Sequence, residues 1–422
     1  MRALLLCLLL VGCGDSLVDH LAVLPARSGC AIESADACGP TCAACPAAPA
    51  NGTASCVSHA CVYECSAPSL RCDSGCCLAT AVAAGGDTTC AVVQGAVRCW
   101  GAALGSDASP SPVPAQVAEL KSIAVVAVGA AHACAIVSGT VRCWGDNAAG
   151  QLGQAAPARS ATPLDPVPGV SGATALALGD RHSCASTPGG VLCWGANDLG
   201  QLGDGTQAPR TGAVSVAGTS GADAIAAGLA HTCAVLGGGV SCWGAGESGQ
   251  IGDGNTLAAQ PEPASVKFSG GSVAARSVAA GEHHSCALLS SSIECWGQAG
   301  FGQLGDGSTS DRNAPRQVSL INVSAIAAGR AHTCAAAGTG GQELHCWGTN
   351  DSGQLATGDK VSHAQPFATS LLQVLSLASG ADHACALQTS GALLCWGRND
   401  KGQTGVASAG ASVLAPTAVT GR

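Results

Sequence analysis

A short pattern of apolar and polar positions recurs along the chain from residue 79 onward. Each copy contains an apolar run that ends in glycine, such as residues 123–129, followed by two alternating segments joined by a Gly-containing tip. A Pro-containing segment, such as residues 112–120, precedes the apolar run. Short alternating runs between turn signals are typical of β-strands, so the pattern predicts about four short strands per copy and no helix.

The second alternating segment of every copy ends in Cys-Trp-Gly, and these motifs contain all seven tryptophans of the chain. The motif returns about every 50 residues, and a fixed period in this range is the mark of a solenoid or a propeller. A unit of about four strands matches the blade of a β-propeller. The tryptophans are Trp100, Trp144, Trp194, Trp243, Trp296, Trp347 and Trp396.

Each copy also carries a cysteine in its first alternating segment. Setting Cys134 opposite Cys143 leaves Ser138-Gly139 as a two-residue turn of the kind that tight hairpins need. Opposed β-carbons on paired strands lie roughly 4.5 to 5.5 Å apart, close enough for a disulfide. We therefore predict one cross-strand disulfide per copy: Cys90–Cys99, Cys134–Cys143, Cys184–Cys193, Cys233–Cys242, Cys286–Cys295, Cys334–Cys346 and Cys385–Cys395.

The motif Gly-x-x-His-[Ala/Ser/Thr]-Cys-Ala, followed by Cys-Trp-Gly-x-Asn-x-x-Gly-Gln-Leu-Gly, resembles the repeat of the regulator of chromosome condensation family. The resemblance covers about residues 79–422 and implies an all-β, seven-bladed β-propeller. The first copy departs from it, because Thr88 replaces the histidine and no Gly-Gln-Leu-Gly turn follows Trp100; the sixth has Ala356 for the last glycine of that turn. Paired cysteines are typical of exported relatives, so the chromatin and small-GTPase partners of the nuclear member are not carried over.

The ends of the repeat region predict how the ring closes. The first copy has no Pro-containing segment before its apolar run, whereas the chain ends with an unclaimed one at residues 413–419. We expect this C-terminal strand to complete the first blade, which would remove the open edges of a row of sheets.

The N-terminal residues resemble a bacterial lipoprotein leader. Arg2 and the apolar run 3–11 lead to Leu10-Val11-Gly12 before Cys13. We expect residues 1–12 to be a signal peptide, Cys13 to be lipidated, and residues 13–29 to form a tether; an ordinary signal peptide or a wrongly assigned start are the alternatives. The protein would then be exported and attached to the bacterial cell envelope or surface through its lipid alone.

Residues 30–77 form a separate, cysteine-rich module ahead of the propeller at 78–422. The module has few large apolar residues, so it needs covalent links. Cys42 and Cys45 have zinc-ligand spacing, but the export signal and the even number of cysteines favour disulfides, whose connectivity stays open. The cysteines are Cys30, Cys38, Cys42, Cys45, Cys56, Cys61, Cys65, Cys72, Cys76 and Cys77.

Charge and motifs exclude several function classes. A net charge of −9 without a basic stripe argues against nucleic-acid binding. Six histidines at equivalent repeat positions would be spread around a ring rather than gathered on one metal, so we expect them to be buried and structural. Turn formation is expected at Asp204, Asp253 and Asp306, with calcium binding as the alternative. The histidines are His132, His182, His231, His284, His332 and His383.

Positions that vary inside a strict repeat are the candidate binding residues. The two residues between glycine and histidine differ from copy to copy, and a propeller would present them along one rim. A solvated rim without a partner is the alternative. The candidate rim residues are Asp180, Arg181, Glu282, His283, Arg330 and Asp382.

The sequence thus predicts a non-enzymatic, monomeric, extracytoplasmic lipoprotein, with no cofactor, whose propeller binds a protein or an envelope component. Inhibition of an extracellular enzyme is a more specific version, because a secreted bacterial β-lactamase inhibitor shares this propeller class. The alternatives are a metal-assisted lyase or hydrolase with its site in the central channel, and a passive envelope component.

Overall fold

A computed structural model describes residues 52–57, 60–65, 69–72, 75–270, 274–290, 292–338, 342–407 and 410–419. The chain divides into two compact units, and the division lies between Leu78 and Ala79. The predicted leader, Cys13 and the tether fall outside the described residues, as do Cys30, Cys38, Cys42 and Cys45 of the module. In the described ranges no helix is present, and hence none that could cross a membrane.

The N-terminal unit contains two small antiparallel pairs of strands. Strand β1 (Gly52–Val57) pairs with β2 (Ala60–Cys65), and β3 (Leu70–Cys72) pairs with β4 (Gly75–Cys77). Cys76 and Cys77 are both in disulfide bonds.

The second unit is a seven-bladed β-propeller, as predicted, and every blade is a four-stranded antiparallel sheet built from consecutive strands. The first to third blades are β5 (Ala79–Gly85), β6 (Thr88–Val93), β7 (Ala96–Gly101), β8 (Ser111–Gln116); β9 (Val126–Val128), β10 (His132–Val137), β11 (Thr140–Asp146), β12 (Arg159–Ser160); and β13 (Ala175–Leu178), β14 (His182–Thr187), β15 (Gly190–Gly195), β16 (Arg210–Ser215). The fourth and fifth blades are β17 (Ala222–Ala227), β18 (His231–Leu236), β19 (Gly239–Ala245), β20 (Ala259–Ser265); and β21 (Ser277–Ala280), β22 (His284–Leu288), β23 (Ile293–Gly297), β24 (Arg312–Val318). The sixth and seventh blades are β25 (Ala325–Ala328), β26 (His332–Ala337), β27 (Glu343–Gly348), β28 (His363–Ala368); and β29 (Val374–Ser379), β30 (His383–Gln388), β31 (Leu393–Arg398), β32 (Ser412–Ala418).

The two central strands of each blade form the predicted hairpin. In the second blade Cys134 lies opposite Cys143, and the tip Ser138-Gly139 has φ of 50° and 80°, the left-handed conformations that a tight two-residue turn requires. All seven predicted disulfides are present, with a Cα–Cα separation of 4.1 Å in each.

The C-terminal strand completes the seventh blade, so the expectation that it would complete the first was wrong. Strand β32 pairs with β31, and the first blade has its own fourth strand, β8, paired with β7. Each Pro-containing segment therefore belongs to the hairpin before it, not to the apolar run after it. The reason is that the third strand of each blade, which contains the tryptophan, has one edge left unpaired by the hairpin. The next segment of the chain pairs with that edge because consecutive segments usually lie side by side.

The ring closes through contacts between the seventh and first blades rather than by strand exchange. The amide of Ala381 donates to the carbonyl oxygen of Gly86 at 2.8 Å. The hydroxyl of Thr89 donates to the carbonyl oxygen of Gln403 at 2.7 Å, and the side-chain amide of Gln403 donates to Asp87 at 3.2 Å. These contacts join the two ends of the repeat region without exchange of a strand.

The hydrophobic core lies between neighbouring blades. Trp243 of the fourth blade is fully buried against the Cys184–Cys193 disulfide and Leu202 of the third blade. Each blade thus buries its tryptophan on the preceding one. With few other aromatic residues in the chain, this packing depends on alanine, valine and leucine.

Candidate functional site

The six aligned histidines lie at the blade boundaries and join one blade to the next. All are fully buried, and in five of them Nε2 hydrogen bonds to a hydroxyl of the following blade. The pairs are His132–Ser183 at 2.8 Å, His182–Thr232 at 2.9 Å, His231–Ser285 at 2.9 Å, His284–Thr333 at 2.9 Å and His383–Thr89 at 2.7 Å. Each hydroxyl in turn donates to the carbonyl oxygen of the glutamine in the preceding blade, as Ser183 does to Gln151 at 2.8 Å.

This chain of hydrogen bonds assigns the tautomer of the histidines. A hydroxyl has one hydrogen, and Thr232 uses it on the carbonyl of Gln201, so it accepts from the Nε2–H of His182. Nδ1 then carries no proton and has no partner. Burial lowers the pKa of His182 to about 4 and that of His231 to about 3. The rings are therefore neutral structural links, and this arrangement leaves them no role as a shared metal site.

The glycine of the Gly-x-x-His motif makes room for the ring. A Cβ on Gly179 would collide with Cε1 of His182 and crowd the carbonyl oxygen of Gly228 in the next blade. The same close approach occurs at the other histidines, for instance between Gly329 and His332. The motif is thus a packing requirement of the blade boundary.

The Gly-Gln-[Leu/Ile]-Gly turns lock into the next blade. The carbonyl oxygen of Gln201 accepts from Trp243 Nε1 at 3.0 Å as well as from the hydroxyl of Thr232. Equivalent tryptophan bonds of 2.9 to 3.0 Å occur in the third to seventh blades. A turn from one blade therefore fixes the tryptophan of the next.

One face of the ring carries the loops that follow Cys-Trp-Gly together with the Gly-x-x-His corners, and we call it the loop face. The opposite face carries the hairpin tips, and we call it the turn face. A central channel of about 490 Å³ runs between them, lined by the innermost strand of every blade. Because those strands pair on one edge only, backbone groups and small side chains form the channel wall.

The candidate rim residues do not share one environment. Asp180, Glu282 and Arg330 line the loop-face mouth of the channel. Arg181, which directly follows Asp180 in the third blade, is exposed. His283 Nε2 lies 3.9 Å from a carboxylate oxygen of Glu282.

Asp382 is buried rather than on an open rim, with only 4% of its surface exposed. Its carboxylate accepts from Arg330 Nε at 3.1 Å and from Arg330 Nη2 at 2.7 and 2.9 Å. This ion pair joins the sixth and seventh blades. Arg330 therefore links two blades as well as lining the mouth of the channel.

Sequence reasoning missed a charged group beside this pair. Arg398 contacts Asp400 at 2.7 Å and lies 3.8 Å from Asp382. Burial raises the pKa of nearby Asp87, an effect that Arg398 opposes. Asp87 and Arg398 occupy variable positions inside the repeat motifs, and neither motif indicates the other residue as a partner, because the ring alone brings residue 87 beside residues 382–403.

Asp204 and Asp306 form turns, in line with the simpler of the two interpretations. Asp204 Oδ1 accepts from the backbone amide of Thr206 at 3.0 Å, and its Oδ2 accepts from Arg210 at 3.0 Å. Asp306 accepts from Ser308 and Arg312 in the same way. In both turns a backbone amide and an arginine therefore occupy the two carboxylate oxygens that a calcium ion would need. Within the described ranges, no three His, Cys, Asp or Glu side chains are placed to hold a metal ion.

Two models described as the Regulator of chromosome condensation (RCC1) repeat match the chain. One matches residues 188–235, 237–288, 295–336 and 343–387, and the other 173–201, 323–354 and 374–403. The ultraviolet-B receptor UVR8 of Arabidopsis thaliana is 34% identical over 121 residues, 27% of this chain and 27% of the receptor. Human HERC4, a probable E3 ubiquitin-protein ligase, is 36% identical over 94 residues, 21% of this chain and 9% of the ligase. The chain thus matches only a minor part of either relative.

Solved structures show the same fold. Human WBSCR16 has a TM-score of 0.67 at 22% identity, covering 74% of this chain and 85% of that protein. Yeast RCC1 (Prp20), solved bound to Kap60, has a TM-score of 0.65 at 21% identity, covering 81% of this chain and 85% of that protein.

The fold and its blade boundaries define a repeat protein with a seven-bladed β-propeller, an architecture typical of protein-binding modules. The matched repeats take up most of that propeller. The chain belongs to the regulator of chromosome condensation (RCC1) repeat family.

Proposed function

We propose that this protein is a non-enzymatic, exported lipoprotein that binds a protein partner through the loop face of its propeller. The observation that carries the proposal is a contrast between positions. Inside the ring, equivalent positions hold the same glycine, cysteine and tryptophan in every blade. At the channel mouth, by contrast, the residue that follows the motif glycine varies from blade to blade, and the four large side chains at this position are all of different types. The seven residues are Gly86, Ala130, Asp180, Leu229, Glu282, Arg330 and Ala381.

A rigid frame with varied side chains on one face is suited to recognition, because little ordering of the surface is needed on binding. The frame is held by seven disulfides, most of them fully buried, and by the histidine links. The loops of the loop face therefore have fixed positions from which side chains can act together.

Charge on the loop face favours a partner with a basic surface. Carboxylates outnumber arginine and lysine there, and Arg330 and Arg398 are already paired with carboxylates of their own face. Complementary charge steers association and excludes partners of like charge. These carboxylates include Asp87, Asp146, Asp180, Asp198, Glu247, Glu282, Asp351, Asp382 and Asp400.

Binding can be tested by reversing charge on one face at a time. The mature protein, immobilised under non-reducing conditions, would be used to isolate a partner, whose affinity is then measured. We expect Asp180→Lys with Glu282→Lys to weaken that affinity at least tenfold. The control, Glu119→Lys with Asp223→Lys, changes exposed carboxylates of the turn face and should leave it unchanged. Equal loss in both variants, or loss in neither, would refute the loop face as the binding surface.

Export and lipid attachment are supported by Leu10-Val11-Gly12-Cys13 and by the disulfides, which persist in oxidising compartments. Replacement of Cys13 by alanine should abolish incorporation of an alkyne-labelled fatty acid and release the protein from membranes. The Cys7→Ala variant is the matched control and should still be labelled. Labelling that survives Cys13→Ala would contradict the lipoprotein assignment.

A further inference from the structure

The boundary between the first and second blades differs from the other six. In the second blade nine residues, Gly145 to Gly153, make the loop and turn that reach the next blade. In the first blade the corresponding stretch is Gly101 to Gly105, which is four residues shorter and has no glutamine. Leu104 still packs against the core cluster that contains Trp144, so the shortened turn keeps its apolar contact with the core although its tip is absent.

The missing tip leaves a notch of about 200 Å³ on the loop face. Its walls come from the shortened loop and from the Gly-x-x-His corner of the second blade, which here is built from alanines. Two charged side chains also border it. The lining residues are Ala102, Ala103, Leu104, Gly105, Ser106, Ala130, Ala131, Asp146 and Arg159.

The charges of the notch are unequally available. Arg159 donates to both carboxylate oxygens of Asp107, at 2.7 and 2.8 Å, so its guanidinium is already paired with a carboxylate. Asp146 Oδ2 accepts from Gln151 Nε2 at 2.6 Å. No side chain of the described residues hydrogen bonds to Asp146 Oδ1. The notch therefore combines small apolar walls with one available carboxylate oxygen.

We propose that this notch receives a lysine side chain. The apolar stem would lie along Ala102, Ala103 and Ala131, and the ammonium group would donate to Asp146 Oδ1. A lysine carries its charge at one point at the end of such a stem, whereas the planar fork of an arginine is best matched by two coplanar acceptors. Gln151 already occupies one oxygen of Asp146, so the notch favours lysine over arginine.

The biological source of the lysine rests on the proposed function, because it would belong to the partner that binds the loop face. The notch itself does not depend on that partner. A small molecule that reproduces the side chain can therefore test it separately, and a failed capture experiment would leave the result unaffected.

The probe is n-butylammonium, titrated into isotopically labelled mature protein at constant ionic strength and followed by amide chemical shifts. We expect saturable shifts centred on Ala103, Ala131 and Asp146. Butanol, which lacks the charge, and n-butylguanidinium, which presents a fork, should each bind at least fivefold more weakly. Equal binding of either molecule, or shifts centred elsewhere, would overturn the proposal.

Two variants sharpen the test. Asp146→Asn should lower the affinity for n-butylammonium at least fivefold, whereas Asp223→Asn, which changes an exposed carboxylate of the turn face, should leave it within twofold. Inserting Asn-Ala-Ala-Gly, the tip of the second blade, after Ala102 should fill the notch and abolish binding. Amide chemical shifts that match those of the wild type away from the notch verify the fold of each variant. Unchanged affinity in a folded Asp146→Asn protein would refute the assignment.

Discussion

His182 and Thr232 are joined by a 2.9 Å hydrogen bond that crosses the boundary between the third and fourth blades. The hydroxyl of Thr232 also donates to the carbonyl oxygen of Gln201 at 3.0 Å. One small side chain thus connects a histidine and a turn of one blade to the central strand of the next.

Thr232→Ala should lower the free energy of unfolding by about 1 to 3 kcal/mol, because it leaves the Nε2–H of His182 buried without an acceptor. Urea unfolding of the oxidised protein measures the change. The control is Thr256→Ala at an exposed loop position, which should alter stability by less than about 0.5 kcal/mol. A Thr232→Ala protein as stable as the control would show that the hydroxyl link contributes nothing.

The boundary between the sixth and seventh blades lacks this hydroxyl, because Ala384 occupies the position of Thr232. Neither ring nitrogen of His332 has a hydrogen-bond partner, although the ring is fully buried. Ala384→Ser should therefore raise the free energy of unfolding by about 1 kcal/mol, since the new hydroxyl would accept from His332 Nε2 and donate to the carbonyl of Gln354.

Ala133→Ser is the matched control for this gain. Ala133 has the same repeat position, but the preceding blade has Thr88 in place of histidine and no glutamine turn. A serine there has neither partner, so stability should not rise. Equal gains at the two positions would mean that the hydroxyl acts through something other than the histidine link.

Acid should destabilise the propeller between pH 7 and pH 4. Burial lowers the pKa of His132, His231, His284 and His383 to about 3, and that of His182 and His332 to about 4. In the unfolded chain histidine titrates near 6.5, so below that pH the unfolded state binds protons that the folded state does not. The stability is complete above about pH 6.5 and is lost as the pH falls toward these folded-state values, by roughly 2 kcal/mol per histidine at pH 5.

The check is the free energy of unfolding measured by urea at several pH values. Its slope reports the number of protons taken up on unfolding, and His182→Gln should reduce that number by one between pH 6 and pH 5. A free energy that does not change from pH 7 to pH 5 would contradict neutral, buried histidines.

The disulfides should resist reduction in the native ring. Cys233 and Cys242 have no exposed surface, and the same holds for most of the other paired cysteines. Reductant should therefore cleave few blade disulfides until urea opens the blades, as judged by counting the released thiols through alkylation and mass spectrometry.

Removing a single bridge should weaken the ring by a definite amount. Cys233→Ala with Cys242→Ala should cost about 2.5 kcal/mol of unfolding free energy, since the bridge closes a short loop in the unfolded chain. The same measurement on fully reduced wild type gives the cumulative effect of all bridges. A double variant as stable as wild type would show that the bridge restrains neither state.

The hairpins could be predicted from local sequence because their determinants are local. Cys134, Ser138-Gly139 and Cys143 lie within one tight hairpin, so spacing and turn chemistry fix both the register and the disulfide. The number of blades follows equally from counting Cys-Trp-Gly. No tertiary information was needed for either.

Local spacing and the count of repeats could not predict that strand β8 belongs to the first blade. Residues 111–116 lie between two copies, and their apolar pattern fits an outer strand of either one. Only the free edge of β7 decides the pairing. The burial of Asp382 could not be predicted from the sequence either, because its partner Arg330 comes from another blade.

The sequence by itself determined that the repeating unit is a propeller blade, how many blades there are, the register of their hairpins and their disulfides. Each of these depends on residues close together in the chain or on simple repetition. The tertiary structure alone decided how the ring closes, which rim side chains are free, and that one shortened loop opens a notch beside Asp146. These features arise where residues far apart in the chain meet across a blade boundary, and a repeating local pattern contains no information about which exceptions will face one another.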